Sequence, residues 1–262
     1  MRKQDLPTDK WPDRFWEWLK LHGYNKKLYP SKYEKLFGEE AVELGPVQEG
    51  ERFRKDFASI GNYKKANEKI RPPKPGENRV VFLGNSITAG WARVDSAFFA
   101  GNNFIGRGIS AQTSAQLLLR FRPDVIDLHP KAVLINIGTN DVAENTGPYD
   151  PDFTMGNIQS MVELARANNI KVLLASVLPS TNFEWRRELG DRSDMIVDLN
   201  KRIKAYADQN GIPYVDYHSA MKNDKNGMDP ELAEDGVHPT MKGYQIMEEL
   251  AERAIGDLFG KR

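Results

Sequence analysis

The chain has 262 residues, 40% of them hydrophobic, and its 37 Lys/Arg balance 37 Asp/Glu; this suits one large domain, or a domain with an appendage, and excludes disorder of the chain as a whole. With no cysteine, disulfides, thiolate catalysis and cysteine-held metals are excluded, while both reducing and oxidising compartments stay open. Residues 1–75 carry 17 Lys/Arg against 12 Asp/Glu and the remainder 20 against 25; so small an excess, interleaved with acids, marks a solvated face and predicts no nucleic-acid partner.

The N-terminus, Met1-Arg2-Lys3-Gln4-Asp5, lacks the apolar stretch of a signal peptide, and no apolar run approaches the roughly 18 residues of a membrane span. The expectation is a soluble chain without a membrane span. It would be cytoplasmic, or exported if Met1 stands in place of a removed leader. Residues 1–50 are rich in aromatics: Trp11, Phe15, Trp16, Trp18, Tyr24, Tyr29, Tyr33 and Phe37. Pro12 suits a first helical turn, and Phe15, Trp18, Leu19 and His22 recur at helical spacing, which predicts a short amphipathic helix through about Leu21, ended by Gly23. Its apolar face packs on the main domain, rims a site or meets a second copy. Gly45-Pro46 is a break, and a further helix is expected over residues 53–69. Arg71-Pro72-Pro73-Lys74-Pro75-Gly76 is a stiff linker, so residues 1–75 form an appendage plus linker and residues 76–262 a separate domain.

Beyond the linker, apolar runs of strand length alternate with helical stretches. The spacing predicts strands at Arg79–Gly84, Asn103–Arg107, Ala132–Ile137, Lys171–Val177 and Pro213–Tyr217, and helices at Ser114–Leu128, Asp152–Asn168, Ser193–Gln209 and about Lys242 to Phe259. Such alternation implies an α/β fold, a parallel five-stranded sheet with helices on both faces. Ligands bind beyond the carboxyl ends of such strands, which directs attention to Gly84-Asn85-Ser86, Arg107-Gly108-Ile109 and Gly138-Thr139-Asn140-Asp141.

Ser86 follows the buried run Val80–Leu83. By itself it fits a helix cap. Near the C-terminus, Asp235-Gly236-Val237-His238-Pro239 sets a carboxylate three residues before a histidine on a tight turn, where it can reach Nδ1 and leave Nε2 free. Asp235 and His238 taken alone fit a turn former and an ordinary polar residue. Together with Ser86 they make a nucleophile, a base and an orienting carboxylate. Acyl chemistry also needs donors fixed around the developing oxyanion; the candidates are the N–H of Ser86, the N–H of Gly108 and the side-chain amide of Asn140. A turn glycine and a capping asparagine are the plainer roles of the last two.

These blocks, Gly84-Asn85-Ser86-Ile87-Thr88, Arg107-Gly108, Gly138-Thr139-Asn140-Asp141 and Asp235-Gly236-Val237-His238-Pro239, resemble in order those of the SGNH (GDSL-type) esterase and lipase family. The resemblance spans about residues 76–262. It implies a three-layer flavodoxin-like SGNH-hydrolase fold, Ser86 as nucleophile, Gly108 and Asn140 as oxyanion donors, His238 with Asp235 behind it, and neither metal nor cofactor. Two positions depart from the family. Gly-Asp-Ser is Gly-Asn-Ser, removing a charge beside the nucleophile, and Ala111 stands where many members have a second glycine, which puts the loop path in question. The absence of a Gly-x-Ser-x-Gly elbow sets α/β-hydrolases aside.

The chain is further similar to bacterial GDSL-type acetyl esterases of polysaccharide breakdown, and to acetylhydrolases acting on platelet-activating-factor-like phospholipids. The first similarity implies a short-chain, most simply acetyl, ester of a carbohydrate; the second a lysophospholipase or platelet-activating-factor-type acetylhydrolase. From a different class, a flavodoxin-like module that binds a phosphate or a sugar without turnover uses the same scaffold. Loops after the strands are polar, at Ser110–Thr113, Asp141–Asp150 and Ser180–Asp194, with scattered aromatics, which favours sugar over long acyl chains. Asn85, Trp91, Trp185 and Arg186 are the candidate substrate contacts, the two tryptophans being equally compatible with packing.

Overall fold

In the computed structural model, residues 55–260 are described; the aromatic helical appendage expected over residues 1–50 lies outside them. The described residues from Ala58 onward form one compact unit. The segment 58–75, expected in the appendage, thus belongs with the sheet. Of the helix expected over 53–69, the segment 58–69 keeps α1, Lys64–Asn67, the rest of it being mainly turns.

Five parallel strands, β1 (Val80–Gly84), β2 (Phe104–Gly108), β3 (Ala132–Asn136), β4 (Lys171–Ala175) and β5 (Tyr214–Val215), lie in the order β2-β1-β3-β4-β5. This is the flavodoxin-like order, which reverses direction at β1 and β3. Register aligns Gly84 with Gly108 and with Asn136, so the three strands deliver their following loops at one level. Alternation along β1 divides the core. Val81 and Leu83 face Leu117 and Phe121 of α4 (Ser114–Asp124), Ile158 and Met161 of α6 (Pro151–Ala167) and Leu199 and Ile203 of α7 (Ser193–Gln209). Val80 and Phe82 face Ile87 and Trp91 of α2 (Ser86–Val94), Phe98 and Phe99 of α3 (Ser96–Asn102), Tyr217 of α8 (Tyr217–Met221) and Met247 of α9 (Met241–Leu258). A four-residue helix, α5 (Thr139–Val142), follows β3.

The elements predicted beyond the linker are present, several of them shorter. Helix α4 carries Pro123 in its last turn and ends at Asp124 rather than Leu128, where Val125 leaves the helical backbone, and Ile126–Leu128 is a separate 3-10 turn. Strand β4 stops at Ala175 because Val177 leaves the ladder for Asn200, whose Oδ1 accepts from the Val177 N–H at 2.7 Å and whose Nδ2 donates to its carbonyl at 2.9 Å. Strand β5 has two residues because Asp216 caps α8, its Oδ1 accepting from the Ser219 N–H at 3.0 Å, and draws Tyr217 into the helix.

Candidate active site

Strand β1 ends at Gly84 and helix α2 starts at Ser86, with Asn85 between them as N-cap: its Oδ1 accepts from the Ile87 N–H at 3.0 Å. The Asn85 carbonyl accepts from the Ala89 N–H at 3.0 Å. Because a peptide unit is planar with its C=O and N–H opposed, this bond turns the Ser86 N–H out of the helix start, where no acceptor meets it among the described residues. Ser86 is partly exposed there, at the positive end of the helix dipole, which favours an anionic oxygen.

The histidine arrives from the turn before α9. Gly236 takes φ +74°, a backbone that side chains disfavour, and closes Asp235-Gly236-Val237-His238 tightly. Asp235 Oδ1 accepts from the N–H of Val237 at 2.9 Å and of His238 at 2.8 Å. Its Oδ2 lies 2.7 Å from His238 Nδ1, and His238 Nε2 lies 2.8 Å from Ser86 Oγ. Val237, 2% exposed, anchors the turn in the core. Burial raises the Asp235 carboxyl, but the bond and charge of the His238 ring and the two backbone N–H groups outweigh it and hold the group well below the usual carboxylate range. An ionised carboxylate only accepts, so Nδ1 carries the ring proton and Nε2 is left to accept the Ser86 hydroxyl proton.

The candidate oxyanion donors part company. Asn140, 2% exposed, donates from Nδ2 to the Gln112 carbonyl at 2.9 Å, and its Oδ1 accepts from Asn145 Nδ2 at 3.0 Å. Gly108 needs correction. The Ile109 N–H donates to the Gly84 carbonyl, so alternation turns both polar groups of Gly108 to the outer edge of β2. There its carbonyl accepts from the Tyr63 hydroxyl. Glycine is required at 108 for packing: a Cβ would lie 2.1 Å from the Ala89 nitrogen and 2.6 Å from the Asn85 oxygen. Three residues on, Ala111 adopts φ +63°, the conformation a glycine would take, so the loop path survives the substitution. Ala111 is exposed, its N–H meets no acceptor among the described residues, and its carbonyl accepts from Asn145 Nδ2 at 3.2 Å.

Several supporting residues escape sequence reasoning because their partners are distant in the chain. Arg120, fully buried, donates from Nη2 to the carbonyls of Gly84 and Arg107, both at 2.9 Å, from Nε to Gln112 at 2.6 Å, and pairs with Asp124 at 2.9 Å. It joins the ends of β1 and β2. The only local signal is an i,i+4 Arg–Asp pair, common on exposed helices. Asp141 sits at the first turn of α4, accepting from the Ser114 N–H at 3.0 Å and from its hydroxyl; burial raises its carboxyl pKa although these bonds oppose the rise.

Three expected substrate contacts belong to the scaffold instead. Asn85 is 1% exposed and caps α2. Trp91, also 1% exposed, stacks on Phe98 and Tyr244 at 5.1 and 5.7 Å between ring centroids and donates to Glu248 at 2.9 Å. The Arg186 guanidinium is spent on the Ala143 and Glu144 carbonyls and Glu188. Trp185 differs: partly exposed, its ring lies 6.2 Å from that of His238, and its Nε1 donates to Asn145 Oδ1 at 2.9 Å.

A hydroxyl, an imidazole and a carboxylate in one hydrogen-bonded line at the carboxyl edge of a flavodoxin-like sheet are the framework of a carboxylic ester hydrolase. The chain belongs to the GDSL-like lipase/acylhydrolase family, whose model matches residues 82–246. It is 54% identical to a GDSL-like lipase from Bacteroides thetaiotaomicron VPI-5482, whose crystal structure superposes with a TM-score of 0.76, covering 77% of this chain and 99% of that one. It is 25% identical over 239 residues to an acetylxylan esterase from Xylanibacter ruminicola, covering 75% of this chain but 46% of the relative, so it spans about half that protein's length. The acetylxylan esterase Axe2 from Geobacillus stearothermophilus shares the fold, with a TM-score of 0.55 at 23% identity over 72% of this chain and 96% of that one.

Proposed function

We propose that the protein hydrolyses short-chain esters, acetyl above all, carried on a carbohydrate, through an acyl-enzyme on Ser86. The observation that carries this reading is the line Asp235–His238–Ser86, with spacings of 2.7 and 2.8 Å. His238 Nε2 takes the Ser86 proton as Oγ attacks the ester carbonyl. The imidazolium, stabilised by the Asp235 carboxylate, passes that proton to the departing alcohol oxygen, leaving the acyl group on Ser86. Water then attacks with its proton going to Nε2, and the acid leaves as Ser86 regains its proton. The Ser86 N–H, the second Nδ2 hydrogen of Asn140 and the Ala111 N–H are the donors for the oxyanion, Ala111 replacing Gly108.

For the substrate, the support is the partly exposed pair Asn145 and Trp185, an amide bonded to an indole whose ring stands beside His238, which suits a sugar ring better than a long alkyl chain, together with the relatedness to an acetylxylan esterase. The test is a nitrophenyl ester series from acetate to octanoate beside acetylated xylan and other acetylated sugars. Fastest turnover of acetate, with acetate released from a sugar, is expected. Faster cleavage of octanoate with no acetate released from any sugar would replace this reading with a lipid one.

A further inference from the structure

A side-chain amide is an oxyanion donor only if its nitrogen, not its oxygen, faces the site, and the two ends of Asn140 are nearly identical in shape. Three bonds decide the matter in sequence. The indole Nε1–H of Trp185 can only donate, and it lies 2.9 Å from Asn145, which must therefore present Oδ1. That choice puts Asn145 Nδ2 opposite Asn140 at 3.0 Å, so Asn140 must present Oδ1 in turn. Asn140 Nδ2 then faces the Gln112 carbonyl at 2.9 Å with one hydrogen, and its other hydrogen meets no acceptor among the described residues. The remaining Asn145 Nδ2 hydrogen goes to the Ala111 carbonyl at 3.2 Å, and the Asn145 backbone N–H to the Asn140 carbonyl at 3.0 Å.

From this one-way chain we propose that Asn145 and Trp185 are positioning residues that set the orientation of the Asn140 amide. This rests on the reading of Asn140 as an oxyanion donor. Reversing either amide would set two donors or two acceptors against each other, a mismatch penalised most at Asn140, which is 2% exposed and has no water to turn to. The correct orientation is therefore held before substrate arrives, which is what electrostatic stabilisation of a transition state requires. Trp185 has a second face in this arrangement: its ring stands beside His238, so the residue that fixes the donor also walls the base.

A double-mutant cycle with steady-state kinetics on nitrophenyl acetate tests the proposal. Asn145→Ala should lower kcat about 10- to 100-fold with KM changed by less than about threefold, and Trp185→Phe, which keeps an aromatic ring but removes the indole donor, should lower kcat in the same way by a smaller factor. In an Asn140→Ala background the same changes should lose most of their effect, because the amide they orient is gone. Losses that persist in full in that background, that appear in KM, or that stay under about threefold in the parent would overturn the proposal. Melting temperatures separate misfolding from mispositioning, and Trp185→Phe carries the test alone if Asn145→Ala does not fold. Failure of the underlying reading is separately visible: Asn140→Ala itself would then leave kcat near that of the parent.

Discussion

Replacing Asp235 by asparagine tests the line of bonds most directly, because the two side chains have nearly the same shape. The amide would keep an oxygen for the N–H groups of Val237 and His238, held in the parent at 2.9 and 2.8 Å, so the turn should survive. What changes is the partner of the ring. An amide nitrogen at the place of Oδ2, 2.7 Å from Nδ1, donates instead of accepting, so His238 must leave Nδ1 bare and carry its proton on Nε2. That proton then points at Ser86 Oγ, 2.8 Å away, and the base is lost with the geometry intact. A wrong tautomer of this kind costs about 10⁴-fold in kcat, or about 5.5 kcal/mol at about 1.36 kcal/mol per decade. Nitrophenyl acetate turnover should show that loss with little change in KM. Retention of more than about a tenth of parental kcat would refute the reasoning. Stability supplies a second readout. The folded Asp235 carboxyl lies below its unfolded value, so its stabilisation is present above the ordinary carboxylate range and lost as pH falls through the folded value. The parent should therefore melt higher than Asp235→Asn near neutral pH, and the gap should narrow on acidification toward about pH 2; a gap that stays constant would contradict the pairing.

Ser86→Ala should abolish turnover by about 10⁴- to 10⁶-fold without lowering the melting temperature by more than a few degrees, and residual activity within about tenfold of the parent, free of contaminating esterase, would defeat the assignment. Trp91→Ala should destabilise the fold by about 3–5 kcal/mol in urea titrations, since it empties a stacked aromatic site, and should leave KM for sugar esters unchanged in the folded fraction; a selective rise in KM would return Trp91 to the substrate site. Ala111→Gly should raise stability by up to about 1 kcal/mol with activity retained, because φ +63° strains an alanine; destabilisation by more than about 1 kcal/mol would show that the methyl group packs.

The sequence by itself determined the strand-and-helix alternation and the five strands, and it singled out Ser86, Asp235 and His238, which the fold brings into one hydrogen-bonded line. Those features follow from local information: apolar periodicity, a glycine that ends a strand, and an Asp-Gly-Val-His-Pro turn whose geometry is set within a single short stretch of chain. What the sequence left to the tertiary structure has a common physical cause, namely that a side chain's role depends on which distant groups surround it. Trp91 fits a sugar as well as a core until helix α9 brings Tyr244 against it. Gly108 looks like an oxyanion glycine until the register of β1 on β2 turns its N–H outward and the approach of Ala89 explains its missing side chain. Arg186 becomes a loop clamp only once the Ala143 and Glu144 carbonyls close on it. Arg120, Asn145 and Tyr63 bond to groups 13 to 45 positions away, across loops whose paths no local pattern records. Periodicity encodes which face of an element is apolar, but the direction of a single N–H or amide is decided by what lies opposite it, and for this site that is settled only when β1, β2 and β3 stand side by side.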